Sequence, residues 1–136
     1  IEIAHITSLP DSSFFSDLRH LTISDERLYA LDIERRQVLS VDKKFEDLWI
    51  FGSGGRGPTE LLAPFSFAVH DDNVFVYDLS TLSVKTYTKE GFQGKKDLGF
   101  VLYDYRWYER DGEFWMPVHN SDSLFVNISP KGDRFF

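Results

Sequence analysis

Residues 21–32 read LTISDERLYALD and residues 67–78 read FAVHDDNVFVYD. The two stretches superpose without a gap. Each has an apolar-alternating strand, an acidic turn (Asp25-Glu26-Arg27 in the first, Asp71-Asp72-Asn73 in the second) and a second strand ending in Asp32 or Asp78. Successive strand residues point to opposite faces, so the alternation predicts antiparallel pairs with one face turned inward. Self-similarity at a period of about 46 residues means that one supersecondary unit is used more than once. Four short strands per unit is the pattern of a β-propeller blade.

Working outward, the first unit predicts strands at 20–24, 28–32, 37–42 and 47–51. The second predicts 67–70, 73–78, 83–88 and a weaker fourth strand near 95–100. A third, more diverged unit predicts strands at 103–109, 113–118 and 124–129, with a fourth beginning at Arg134. The turn Lys89-Glu90-Gly91 matches Lys43-Lys44-Phe45, and Pro130-Lys131-Gly132 repeats it. The fold class is therefore all-β, divided into an edge strand and turn at 1–18 and blades at 19–65, 66–102 and 103–136. The one helical candidate is 59–63, which Pro64 ends. Rings have roughly 4–8 blades, and an open stack would leave flat sheet faces bare. The expectation is that the chain is about half of a six-bladed ring, or that other copies complete it, with 1–6 as a closing strand. With Ile at position 1 and no leader, it reads as a mature product or a piece of a longer protein.

Composition narrows the function classes. Of 136 residues 42% are hydrophobic, enough for a modest core, and the 16% that are aromatic suit pleated surfaces. A net charge of −7 with scattered lysines and arginines disfavours nucleic acid. The absence of cysteine excludes disulfides, thiolate metal sites and a cysteine nucleophile. No apolar run approaches the roughly 20 residues of a membrane-spanning helix.

Between the two best copies lies Phe51–Ala63, FGSGGRGPTELLA. Gly52-x-Gly54-x-x-Gly57 fits the dinucleotide fingerprint, and Asp78 stands where a ribose-binding acid would. That chemistry needs a helix whose N-terminus carries the pyrophosphate, and Pro58 and Pro64 leave no room for one. A phosphate-binding P-loop fails too, because Pro58-Thr59 replaces its Lys-Ser/Thr pair. The segment reads instead as a crossing loop from the outer strand of one unit to the inner strand of the next. Gly52, Gly54, Gly55 and Gly57 allow the turns, and Pro58 stiffens them.

The run Phe51-Gly52-x-x-Gly55-x-Gly57-Pro58-x-Glu60, then Pro64, Phe67-Ala68-Val69-His70-Asp71, Val74-Phe75-Val76-Tyr77-Asp78, Val84-Lys85 and Glu90-Gly91-Phe92 closely resembles an NHL-type repeat. More narrowly it resembles the six-bladed, TolB-like propellers common in Bacteroidota. Thr59 stands where that segment usually has glycine. The resemblance covers roughly residues 19–100 well and 103–136 loosely. It implies a longer, exported, cell-envelope protein, in many cases a surface lipoprotein. In such propellers the crossing loops and the second-to-third-strand turns share one face, where ligands bind.

On this mapping the face carries 32–36, 52–64, 78–82 and 118–122. Its polar candidates are Arg35, Arg36, Arg56, Glu60, His119, Asn120 and Asp122. Arg56 is singled out as a bulky cation among glycines. Asp32 and Asp78 recur in the repeat and read as turn caps. Tyr103, Tyr105 and Trp107, with Trp115 on the neighbouring strand, form a candidate aromatic platform for sugars, against the alternative of packing between blades. Asn127-Ile128-Ser129 matches a glycosylation acceptor formally but sits in a strand. His5, His20, His70 and His119 show no ligand spacing.

The reading is a non-catalytic scaffold that presents propeller loops to a protein, peptide or glycan, with no cofactor. The alternatives are a metal-dependent, NHL-like lyase or lactonase with calcium or zinc in the channel, and a structural subunit that completes its ring with another chain.

Overall fold

The computed structural model describes residues 16–102, 104, 106–118, 125–128 and 134–135. The described residues form strands and turns with no helix. The strands are β1 (Leu18–Ser24), β2 (Arg27–Asp32), β3 (Gln37–Asp42), β4 (Leu48–Phe51), β5 (Pro64–His70) and β6 (Asn73–Asp78). They continue with β7 (Ser83–Thr88), β8 (Gly91–Asp97), β9 (Tyr108–Arg110), β10 (Glu113–Pro117), β11 (Phe125–Ile128) and β12 (Arg134–Phe135). Three antiparallel four-stranded sheets result, each a meander in chain order: β1–β4, β5–β8 and β9–β12.

The repeat extends to the backbone angles. The β1–β2 turn has Asp25 and Glu26 at φ 47° and 61°, and the β5–β6 turn has Asp71 and Asp72 at 48° and 60°. The third sheet repeats this with Asp111 at 54° and Gly112 at 78°. Two successive positive φ values give a hairpin turn whose twist matches its strands, and short polar side chains tolerate that region best. The β2–β3 and β6–β7 turns likewise end on Arg36 (φ 56°) and Leu82 (φ 49°).

Sheet 2 is buried on both sides, which is why residues 74–77 form an unbroken apolar run. Val74 and Val76 face sheet 1, packing with Leu31, Val38 and Phe51. Phe75 and Tyr77 face sheet 3, packing with Phe114, Met116 and Val126. His70, at the end of β5, sits 3.2 Å from Glu109 of the third sheet and 3.1 Å from Asp71. Sheet 1 keeps apolar side chains in the open: Leu21 is 64%, Ile23 76% and Ile50 46% exposed.

Several boundaries differ from expectation. Gly91, at φ 121°, closes a tight turn, so β8 pairs from Thr88↔Gly91 onward rather than starting near 95. Its outward residues Gln93, Lys95 and Asp97 are exposed, so no apolar alternation marks it. The matching connection in sheet 1 is longer. There Asp42 accepts the backbone N–H groups of Glu46 (2.8 Å) and Asp47 (2.9 Å). Arg27 belongs to β2 rather than to the acidic turn. It is buried, donates to Ser40 Oγ at 2.9 Å and to Asp47 Oδ2 at 2.9 Å, and stacks 3.4 Å over the Trp49 ring. Segment 59–63 is no helix, because Leu61 N–H turns back to the Ser53 carbonyl at 2.8 Å. In the third sheet β9 holds only Tyr108–Arg110, not 103–109. The expected strand at 1–6 lies outside the described residues.

Candidate functional site

The β2–β3 turn, the β6–β7 turn and the crossing loop meet at one end of the stack, held by repeated buried carboxylates. Asp32 accepts Ser16 N–H (3.1 Å), Ser16 Oγ–H (2.6 Å) and Arg35 N–H (3.1 Å). Asp78 accepts Leu62 N–H (2.9 Å), Ala63 N–H (3.1 Å), and both the N–H (3.1 Å) and hydroxyl (2.7 Å) of Ser80. Each clamp is doubled by a backbone bond, Ile33 N–H to the Asp17 carbonyl (3.0 Å) and Leu79 N–H to the Ala63 carbonyl (2.9 Å). Both carboxylates thus tie the segment entering a sheet to that sheet's second turn. Burial alone would raise their pKa values. The hydrogen bonds to Ser16, Arg35 and Asp17 for Asp32 outweigh it, as do those to Leu62, Ser80, Ala63 and Lys85 for Asp78, so both lie below the ordinary carboxylate value.

Sheet 2 adds a buried cation. Lys85 Nζ lies 3.2 Å from Asp78 Oδ2 and also donates to the Glu60 carbonyl. Tyr87 Oη donates to the Thr59 carbonyl at 2.9 Å. Burial, with the charges of Asp78 and Glu60, pushes the Tyr87 phenol well above its ordinary pKa, so it remains a neutral donor. Tyr87→Phe is expected to lower stability by about 1 kcal/mol, read from urea unfolding. An unchanged midpoint would show that this bond does not hold the loop.

The crossing loop is wrapped around Glu60. Its carboxylate accepts Gly57 N–H at 2.7 Å. A side chain at Gly55 would place its Cβ 2.1 Å from Glu60 Oε2, so only glycine leaves that space free. Gly52 is required for two reasons: its φ is 76°, and a Cβ there would lie 2.8 Å from Leu61 Cδ1. Gly55 N–H donates to the Leu61 carbonyl at 3.0 Å, which closes the loop on itself. Pro58 is exposed at its tip.

The sequence candidates therefore separate. Glu60 is committed to the loop backbone. Arg35 and Arg56 are exposed and Arg36 half-buried. Gly54 lies against the Arg35 carbonyl and the Arg36 side chain, so the two arginine-bearing segments touch. His119, Asn120, Asp122, Tyr103 and Tyr105 lie outside the described residues. Trp107 and Trp115 do not share one platform. Trp107 Nε1–H donates to Ser66 Oγ at 2.7 Å, and its ring lies 5.7 Å from that of Phe114, facing sheet 2. Trp115 follows Phe114 in β10 and so points to the opposite face. Asn127 is fully buried with its amide 3.3 Å from Glu113, which closes the formal glycosylation site in the folded chain.

Lys85 and Tyr87 were not among the sequence candidates. The signal for Lys85 was a charge at the repeat position held by Leu39 in the first unit. His20, expected to open the first strand, was likewise not singled out as a site residue. It lies in β1 at φ 56°, and burial, then the Arg19 charge, lower its pKa despite the nearby Asp104.

These features define an all-β protein of three stacked four-stranded meanders, with a polar loop end built on buried carboxylates. No family model matches the chain, and no curated protein matches it. A solved structure does: a protein of Bacteroides fragilis NCTC 9343 described as a "putative exported protein", with a TM-score of 0.68 at 17% identity. The match covers 95% of this chain and 38% of that one, so the chain spans well under half of that structure's length. At this identity the likeness concerns the fold.

Proposed function

We infer that this chain supplies three consecutive blades of a propeller of the NHL-type, TolB-like kind and acts as a binding scaffold. The crossing-loop end presents its side chains to a protein, peptide or glycan in an exported, cell-envelope setting. The observation that carries this reading is how the charges at that end are used. Asp32, Asp78, Glu60 and Lys85 are engaged with backbone groups, whereas Arg35 and Arg56 point outward from a fixed frame. A rigid frame with exposed polar side chains loses little entropy on binding. The exported setting is supported by the description of the B. fragilis protein. The exposed apolar face of sheet 1 supports further blades, from a longer chain or a second copy, completing the ring.

The test is a peptide and glycan array probed with this chain, followed by amide chemical-shift mapping of any hit. The expected result is a hit that shifts residues 35–36, 52–62 and 79–82, with no change in melting temperature on adding calcium or zinc. A metal-dependent rise of several degrees would instead favour the lyase or lactonase reading.

A further inference from the structure

We propose that the crossing-loop end recognises an acidic peptide segment whose carboxylate is flanked by apolar side chains. The proposal rests on the scaffold reading and specifies its ligand. Contact of Gly54 with the Arg35 carbonyl and the Arg36 side chain brings two segments together, with Arg56 two residues further on. None of these three guanidinium groups pairs with a carboxylate among the described residues. Arginine forks match carboxylates in bidentate geometry, so such groups at a rigid loop end form a receptor for that anion. Glu34 and Glu60 offset part of the charge, and Glu60 is already bonded to Gly57 N–H.

The opposite end carries the acidic turns Asp25-Glu26, Asp71-Asp72 and Asp111, partly met by Lys43, 2.9 Å from Glu26, and Arg110, 3.7 Å from Asp111. With a net charge of −7 the whole chain repels extended polyanions. A short acidic segment meets the arginines without lying against those turns. Leu62 and Leu79, 37% and 38% exposed, stand on either side of the Asp78 clamp at the arginine end. They offer apolar contact beside the cations, which favours a peptide with alternating apolar and acidic side chains.

The experiment uses the full chain and two fluorescent probes, the peptide Leu-Glu-Leu-Asp-Leu capped at both ends and its Gln/Asn counterpart. The acidic probe is expected to bind saturably, roughly tenfold more tightly than the amide probe, and to weaken as salt is raised. The triple variant Arg35→Gln, Arg36→Gln, Arg56→Gln should remove that preference while melting like the parent chain. Asp71→Asn with Asp72→Asn, at the other end, should leave it unchanged. Equal binding of both probes, or full binding by the triple variant, would overturn the proposal. So would saturable binding of a sulfated disaccharide with none of the acidic peptide. An array hit that maps to the loop end but is indifferent to the arginines would overturn only this inference and leave the scaffold reading standing. An array without a hit, together with no capture of either probe, would fail the scaffold reading and this inference with it.

Discussion

Asp78→Ala is expected to lower the unfolding free energy by roughly 3–5 kcal/mol, because it strands a buried cation as well as several donors. Lys85 Nζ would lose its only carboxylate partner among the described residues, at 3.2 Å. The N–H groups of Leu62, Ala63 and Ser80 would lose their acceptor. Pairing the change with Lys85→Met should recover part of the loss, since an absent charge needs no partner. A double variant costing the sum of the two single changes would show that the pair is not coupled. The pH dependence has a definite sign. The folded-state pKa of Asp78 is depressed below its ordinary value of 3.8. Its stabilising contribution is therefore present above that value and is lost as pH falls through the lower, folded value. Asp32 acts in the same direction. Urea midpoints should decline modestly below the ordinary imidazole value of 6.5, because the folded-state pKa of His20 is lowered, and fall further below about 4; Asp78→Ala should flatten that second fall.

Much of this arrangement was legible in the chain. β3, β6 and β7 begin and end where the alternation predicts, because acidic or polar turns bound each run and one inward face fixes the register. Asp32 and Asp78 were legible as caps because they recur at the same place in two units. β8 was displaced because its alternation is polar on the outside and weak on the inside. The third unit was the hardest to read. Aligning Asp111-Gly112 with Asp71-Asp72 puts Val118 at the place of Asp78 and Leu102 at that of Leu62. Those two residues are buried in the core between sheets 2 and 3 and joined by an isolated antiparallel backbone bridge, which stands where the carboxylate clamp is in the second unit. The segment before β10 then follows packing rather than repeat: Trp107 leaves the strand path to reach Ser66.

The loop end was legible as a chain crossing, but the specific demand at Gly55 was not. Spacing alone suggests close approach of a ligand phosphate or a chain crossing. The structure shows that the space at Gly55 is filled by the protein's own Glu60 carboxylate. A carboxylate in this position mimics a bound anion, accepting the Gly57 N–H that a ligand would otherwise take. The space that looks like part of a cofactor cradle is thereby filled by the chain's own side chain, while Arg35 and Arg56 stay exposed at the same end. Which side chains turn inward depends on contacts between residues far apart in the chain, such as Lys85 with Glu60, and hydropathy does not carry that information.

Leu61→Ala should cost roughly 2–5 kcal/mol, as buried leucine truncations do, and should loosen the loop end in particular. Leu61 is fully buried in the core between sheets 1 and 2, although it belongs to the crossing loop. Its backbone closes that loop from both sides, through Ser53 and Gly55, and its side chain lies where a Cβ at Gly52 would intrude. Removing the side chain takes away the anchor that holds a glycine-rich segment in one conformation. Glycine-rich backbone has many alternatives to populate once released. Hydrogen exchange at Gly55 and Leu61 should therefore accelerate more than exchange in β6, which keeps its partners on both faces. Leu61→Met, which conserves volume, should cost less than about 1.5 kcal/mol and leave the exchange pattern unchanged. Equal acceleration in β6 and in the loop would mean that Leu61 supports the stack as a whole rather than the loop end. A loss below about 1 kcal/mol would mean that the buried carboxylate clamps and Tyr87 hold the loop without it.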